Sequence, residues 1–197
     1  MLLNELTVTN YKFSDLVDVV EFSKILDSFY SATGIPNGLI AIDGEVISQS
    51  GWISACENFH KVSTESKKNC LKSNFKLIEN IRDGEITTSL CKNGLIDYAT
   101  PIIIKEQRIA TLFLGQVLTK SPNLKSFEKQ SNKFNFDKKT YLKAIKEVPI
   151  VSNDKIQSSI KCIVSIAQML AQNGLSKLEH FELEKNLLMY QMSILKD

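Results

Sequence analysis

Apolar residues recur every three or four positions near both ends of this chain. In the middle they fall in short alternating or continuous runs. The two periods predict helices and strands respectively. Val19, Phe22, Leu26 and Phe29 share one helical face. Asp18 is a suitable N-cap for that helix, Gly34 a suitable stop, and Pro36 prevents its continuation. Residues 1–17 show no clean period and read as an N-terminal extension. Residues 38–42 and 45–49 read as paired strands around Asp43-Gly44, which predicts a two-residue hairpin turn because both positions accept positive φ. Trp52, Ile53, Cys56, Phe59 and His60 then fall in a short irregular or helical stretch. Residues 64–82 predict a helix whose apolar side carries Cys70, Phe75 or Asn74, Leu77, Ile78 and Ile81, ended by Asp83-Gly84.

Three further strands are predicted at 85–90, 96–104 and 108–118. Pro101 makes the second of these an edge or a bulge at that point, and Lys105-Glu106-Gln107 joins it to the third. Five strands with helices inserted after the first hairpin give an α+β layer arrangement. The elements do not alternate as βαβ units, which argues against a doubly wound parallel sheet. Residues 119–135 are rich in Lys, Ser and Asn and read as a surface excursion. Asp137 caps a short helix with Tyr141, Leu142, Ile145 and Val148 as its apolar residues, ended by Pro149.

From about Asp154 to the C-terminus there is no proline. Alternating steps of four and three pass through Ile160, Val164, Ala167, Ala171, Gly174, Leu178, Phe181, Lys185, Leu188, Met192 and Leu195, and nine of these eleven are apolar. That pattern predicts one long helix with a coiled-coil seam. The first half is expected to pack on the sheet and the second to project. Leu188, Met192 and Leu195 would then be covered in a parallel homodimer; the alternative is a helix folded back on its own domain. The expected division is an extension at 1–17, a sensory-type domain at 18–174 and a coiled-coil helix at 175–197. The uncapped end at Asp197 is what a chain cut before a further domain, or a short free-standing protein, would show.

Composition narrows the function classes. A formal charge of +2 over 197 residues is too small to favour nucleic acid or an anionic membrane surface as a partner. No window has the 18 or more apolar residues of a membrane span. No basic segment precedes an apolar run at the N-terminus, so a secretory signal is not expected and a cytoplasmic location is. Catalysis lacks support: the chain has two histidines and no Gly-x-Ser-x-Gly, phosphate-binding glycine loop or His-Glu-x-x-His. Cys56 and His60 stand four apart and could pair as thiolate and imidazolium, yet no orienting acid accompanies them. Cys56, Cys70 and Cys91 are separated by thirteen and twenty residues, which matches no paired C-x-x-C zinc pattern. If they converged, with His60 as a fourth ligand, their thiolates would suit zinc or iron. If they did not, they are small buried hydrophobes. A third reading is a small-molecule pocket with Trp52, Phe59, Tyr98 and Phe113 as walls and Asp97 and Gln116 as polar handles.

The order of these pieces resembles the PocR sensory domain, a ligand-binding module of prokaryotic signalling proteins. The resemblance runs from about Val19 to Ala171. It rests on the helix ending Phe29-Tyr30-Ser31-Ala32-Thr33-Gly34, the Asp43-Gly44 hairpin, Cys56 ahead of Phe59-His60, and Cys70 ahead of Ser73. Its strongest part is Cys91-x-x-Gly94-Leu95-x-Asp97-x-Ala99-x-Pro101-Ile102 followed by Leu114-Gly115-Gln116-Val117. It implies a PAS-like fold and binding of small hydrocarbon derivatives such as short alcohols or diols, with Trp52, Cys56, Phe59, Cys70, Cys91, Asp97, Tyr98, Phe113 and Gln116 about the ligand. It also implies an output module beyond this chain: an AraC-type DNA-binding domain, a histidine kinase or a cyclic-dinucleotide enzyme. Lys105-Glu106-Gln107 departs from the usual Asp-Gly-type turn of the family.

Overall fold

The structure, a computed structural model, describes residues 11–79, 81 and 84–195. The predicted helix end at 82, the Asp83 stop and the first ten residues of the extension lie outside these. Two helices open the fold, α1 (Phe13–Leu16) and α2 (Val19–Thr33). The Asp18 carboxylate caps α2 by accepting from the amides of Val20 and Glu21, and Gly34 closes it in the left-handed conformation. Strands β1 (Asn37–Ile40) and β2 (Val46–Ser50) follow, then a π-helical turn at Cys56–His60 and helix α3 (Thr64–Glu79). Next come β3 (Thr87–Leu90), β4 (Ile96–Ile104), β5 (Gln107–Val117), α4 (Leu124–Phe134), α5 (Lys138–Lys146) and α6 (Asn153–Ile194). The strands form one antiparallel sheet in the order β2-β1-β5-β4-β3. The α+β class and the long C-terminal helix expected from the pattern are therefore those of the molecule. Among the described residues no helix is long and apolar enough to cross a membrane.

The sheet separates two cores. On one face Tyr98, Ile102, Leu112 and Leu114 pack with α1, α2 and the first half of α6. On the other face Ala99 and Phe113 meet Leu77 of α3. Beside that, Leu95 joins Phe127, Tyr141 and Ile145 from α4 and α5. β5 lies between β1 and β4 and is covered on both faces, so its sequence reads as an unbroken apolar run.

Four local features differ from the sequence expectation. The last residues of the extension join the core: Phe13 is fully buried, and Leu16 and Val17 nearly so. α1 lies so close to α6 that a Cβ at Gly174 would meet the Leu16 carbonyl oxygen at 1.8 Å. The segment read as a polar excursion contains α4, which buries Phe127 and Ser131 and is capped by the Asn123 side chain. The Asp43-Gly44 hairpin has a three-residue loop. The Ala41 amide donates to the Glu45 carbonyl and the Gly44 amide to the Ala41 carbonyl, with Gly44 at φ 90°. Pro101 sits opposite Thr111 of β5, beyond the point where β3 ends at Thr87 opposite Ala99. A proline is tolerated there because β4 has only one strand partner at that point.

α6 shows how the seam divides. Ile156, Ile160, Ile163, Ala167, Ala171 and Leu175 are its buried positions. This face drifts from the 3.5-residue seam because a straight helix repeats every 3.6 residues. Leu178 packs at the margin of the core, and from Phe181 to Leu195 the large apolar side chains are more than half exposed.

Lys105 and Glu106 form a two-residue turn with φ of 47° and 62°. Both stand where glycine or asparagine is usual. Glu106→Gly should raise the thermal unfolding midpoint by a few degrees, measured by circular dichroism; an unchanged or lowered midpoint would show that the turn is not strained.

Candidate ligand cavity

Between the sheet and α3 lies a cavity of about 310 Å³, lined by residues from β1, β2, the π-helical turn, α3, β4 and β5. Its floor is made where the β4–β5 ladder slips. Ile96 pairs with Val117 and Asp97 with Gly115, so Gln116 is an extra residue on β5. This β-bulge places Gln116 at φ 64°. A non-glycine residue in that region is strained, and bulges commonly re-aim side chains beside binding sites. The Gln116 amide donates to Asp97 Oδ1 at 2.8 Å. The Gln116 side-chain Oε1 accepts from the Ile53 amide at 2.9 Å, fixing the loop that leads into the π-helical turn. Gly115 makes room for this pair, because a Cβ there would stand 2.5 Å from Asp97 Oδ1.

Asp97 is 6% exposed, and burial raises its carboxyl to about 6, against a smaller lowering by the Gln116 amide. Among the described residues no other hydrogen bond reaches Asp97, so Oδ2 has no partner there, and neither has Gln116 Nε2. Neither atom is sealed from open space without a partner; the only such buried side-chain atom among the described residues is Asn37 Oδ1. Both residues line the cavity, which therefore presents one acceptor and one donor on an apolar floor.

The three cysteines also line this cavity, but each sulfur has its own partner. The Cys56 Sγ lies 3.8 Å from His60 Nδ1. Cys70 accepts from Asn93 Nδ2 at 3.0 Å. Cys91 accepts from the Leu95 amide at 3.4 Å. The last contact explains the Cys-x-x-Gly-Leu spacing. Cys91 opens a three-residue loop like that of the first hairpin, with Gly94 at φ 96° donating to the Cys91 carbonyl. Burial pushes the Cys91 thiol up to about 12 and raises those of Cys56 and Cys70. All three are protonated at neutral pH. Among the described residues no group of three or more His, Cys, Asp or Glu side chains could hold a metal ion. Cys56, Cys70, Cys91 and His60, the donors a zinc or iron site would need together, thus each have a separate neighbour in this arrangement.

Trp52 lines the cavity, with its Nε1 donating to the Asn37 carbonyl at 3.2 Å and Lys61 Nζ 3.5 Å above its ring. Phe113 lines it too. Two expected walls do not. Tyr98 follows Asp97 on a strand, so it points to the opposite face, where its hydroxyl donates to Asn153 Oδ1 in the first turn of α6 at 3.2 Å. Phe59 turns away to stack on Phe136 and Tyr141. His60 faces the same aromatic group, 2.8 Å from the Tyr141 hydroxyl, and burial lowers it to about 4. The rim residues Val46, Leu71, Phe75 and Ile78 were not singled out as ligand contacts from sequence. The four-and-three spacing of Leu71, Phe75 and Ile78, a second apolar stripe on a helix already packed through Leu77, was the signal for them.

Residues 15–175 match the family described as the sensory domain found in PocR, and the chain belongs to that family. Its sheet with helices inserted between β2 and β3 is the PAS-like layout expected of it. No curated protein matches the chain. Among solved structures it is similar to a GAF domain/HD domain protein from Geobacter sulfurreducens, at 11% identity over 84% of this chain and 99% of that one, with a TM-score of 0.42. It is also similar to a LOV protein from Rhodobacter sphaeroides, at 11% identity over 78% and 96% of the two chains, with a TM-score of 0.31.

Holding Asp97 ionised in this site costs on the order of 3 kcal/mol at pH 7. The folded chain holds the Asp97 proton more tightly than the unfolded chain does. Stability from this residue is therefore full below the usual carboxylate value of 3.8 and lost as pH rises through about 6. Asp97→Asn keeps an oxygen for the Gln116 amide without the charge. It should raise the unfolding midpoint at pH 8 by roughly 5–10 °C, an advantage that vanishes toward pH 4. His60 works in the opposite sense, losing stability as pH falls from 6.5 toward about 4, but equally in both proteins. Unfolding curves of the two proteins across this range measure the difference; a pH-independent gap would remove Asp97's charge as its cause.

Proposed function

We propose that this chain is the ligand-sensing domain of a signalling protein or transcription regulator, and that its cavity recognises a hydroxyl group of a small organic molecule of the alcohol or diol class. The observation that carries the reading is the pair of atoms without partners among the described residues, Asp97 Oδ2 and Gln116 Nε2, on the floor of a mostly apolar cavity whose wall also holds Lys61 and Asn74. A hydroxyl donates to the first and accepts from the second. An apolar pocket with a few fixed polar groups is the usual design of a small-molecule site, and a carboxylate kept buried at a cost in stability marks a functional position. A catalytic role is disfavoured: the thiols are held neutral, His60 is neutral, and its ring faces Tyr141. Asp97→Ala should weaken binding of a hydroxylated ligand roughly tenfold or more while leaving the circular dichroism spectrum unchanged; calorimetric titration with unaltered affinity would remove Asp97 from the site.

The signal leaves through α6. Beyond Leu178 the helix carries Phe181, Leu188, Met192 and Leu195 along the heptad seam, all exposed in a single chain. A second copy in parallel would cover them and place two output modules side by side. The ligand acts only through the difference in its affinity for two arrangements of that helix pair. Changing Leu188 and Met192 together to Glu should turn the dimer into a monomer in sedimentation velocity without altering the domain's fold. A native chain already monomeric at high concentration, or a variant still dimeric, would refute the seam.

A further inference from the structure

The polar floor of the cavity lies back to back with the start of α6. Asp97 faces the cavity, and the next residue on β4, Tyr98, faces the opposite core. Tyr98 is 1% exposed, and its hydroxyl donates to Asn153 Oδ1, in the first turn of α6, at 3.2 Å. Gln116 has a matching connection. Two residues after it, Leu118 forms a parallel bridge with Ile150. The Leu118 amide donates to the Pro149 carbonyl at 2.9 Å, and the Val151 amide donates to the Leu118 carbonyl at 2.8 Å. Ser152 follows and caps α6 by accepting from the Lys155 amide. Each residue of the floor thus has a near neighbour in the chain that holds the head of α6, one on each strand. The register slip runs between them, and the Gln116 amide spans it by donating to Asp97 Oδ1. The extra residue of a bulge is unpaired in the ladder, so two strands are freest to shift against each other there.

Resting on the reading of this cavity as the sensing site, we infer that the slip in the β4–β5 ladder passes the state of the cavity to α6, with Tyr98 and Asn153 as its positioning pair. A change in the Asp97–Gln116 bond changes how the two strands meet at the slip. Tyr98 and Leu118 ride on those strands, so the head of α6 moves with them. The helix is continuous from Asn153 to Ile194, so its projecting half follows. A group that engages Asp97 Oδ2 and Gln116 Nε2 together acts on both strands at this point, and α6 responds without touching it.

Protonation of Asp97 disturbs the same bond with no ligand present, because a neutral carboxyl accepts roughly half as strongly as a carboxylate. Burial brings that protonation to about pH 6. The groups that face Asp97 are Cys56 from the π-helical turn, Cys70 from α3 and Cys91 from the β3–β4 turn, whose thiols burial holds neutral, and Lys61 in the cavity wall. Amide NMR signals of the full chain, followed between about pH 5 and 8, test the relay. The Val151 amide and the backbone amides of residues 154–160 should shift with the midpoint of the Asp97 carboxyl signal, and Asp97→Asn should abolish that shift. Any titration of His60, Asp154 or Lys155 is common to both proteins and cancels. Tyr98→Phe and Asn153→Ala should each remove most of the shift at 154–160, whereas Asn153→Asp, which keeps the accepting oxygen, should retain it. The bare field of the Asp97 charge reaches α6 in all of these proteins. A shift that persists in full in Tyr98→Phe or Asn153→Ala would therefore overturn the relay, as would a native chain whose α6 amides ignore Asp97. Loss of the shift in Asn153→Asp as well would overturn the role of the hydrogen bond. None of these results touches hydroxyl recognition, which is judged separately by the affinity of Asp97→Ala.

Discussion

Nine residues of β4 lie against β5, and the rest of the site depends on the slip in that ladder beside Asp97. The extra residue on β5 turns Gln116 into the left-handed region and frees its amide to meet the Asp97 carboxylate. The same residue then reaches across to the Ile53 amide and holds the chain that carries Trp52 and Cys56. Without the slip, strand alternation would continue in step and the Gln116 amide would be part of the regular ladder. A single irregularity thus supplies the acceptor, the donor and the anchor for the adjoining wall.

The thiols around this floor are held in their neutral form by burial. Three thiols in one cavity invite a metal or a redox reading, yet burial keeps each protonated and each sulfur has a separate neighbour. Cys91 and Asn93 belong to the β3–β4 turn, and Asn93 ties that turn to α3 by donating to the Ser66 carbonyl and the Cys70 sulfur. The cysteines thus act as compact fillers where helices close over a sheet.

Much of this was legible in the chain because its local signals agree with its tertiary structure. Asp18, Asp137 and Gly34 marked helix ends that they do form, and the unbroken apolar run of β5 followed from burial on both faces. The failures have physical causes. α4 has apolar residues at helical spacing, but its Lys, Ser and Asn content suggested a loop. α1 is four residues long, too short to show a period, and owes its helix to packing against Gly174. Tyr98 cannot share a wall with Asp97, because neighbours on a strand face opposite sides of the sheet. The bulge at Gln116 left no mark beyond the Gly115 before it, since a register slip belongs to two strands and not to either one.

The floor and the rim of the cavity differ in how freely they can change. Position 116 requires a residue that accepts positive φ and still carries an amide, and position 115 admits no side chain beside Asp97. Leu71 and Phe75 face solvent on a helix whose hold on the domain comes from the other side, through Ser66, Ser73 and Leu77. Substitutions at those two positions alter the shape of the mouth at little expense to stability. Descendants of this chain can therefore diverge in the shape of the cavity mouth while inheriting the same Asp97–Gln116 floor, so that variation among them concentrates along the rim formed by α3.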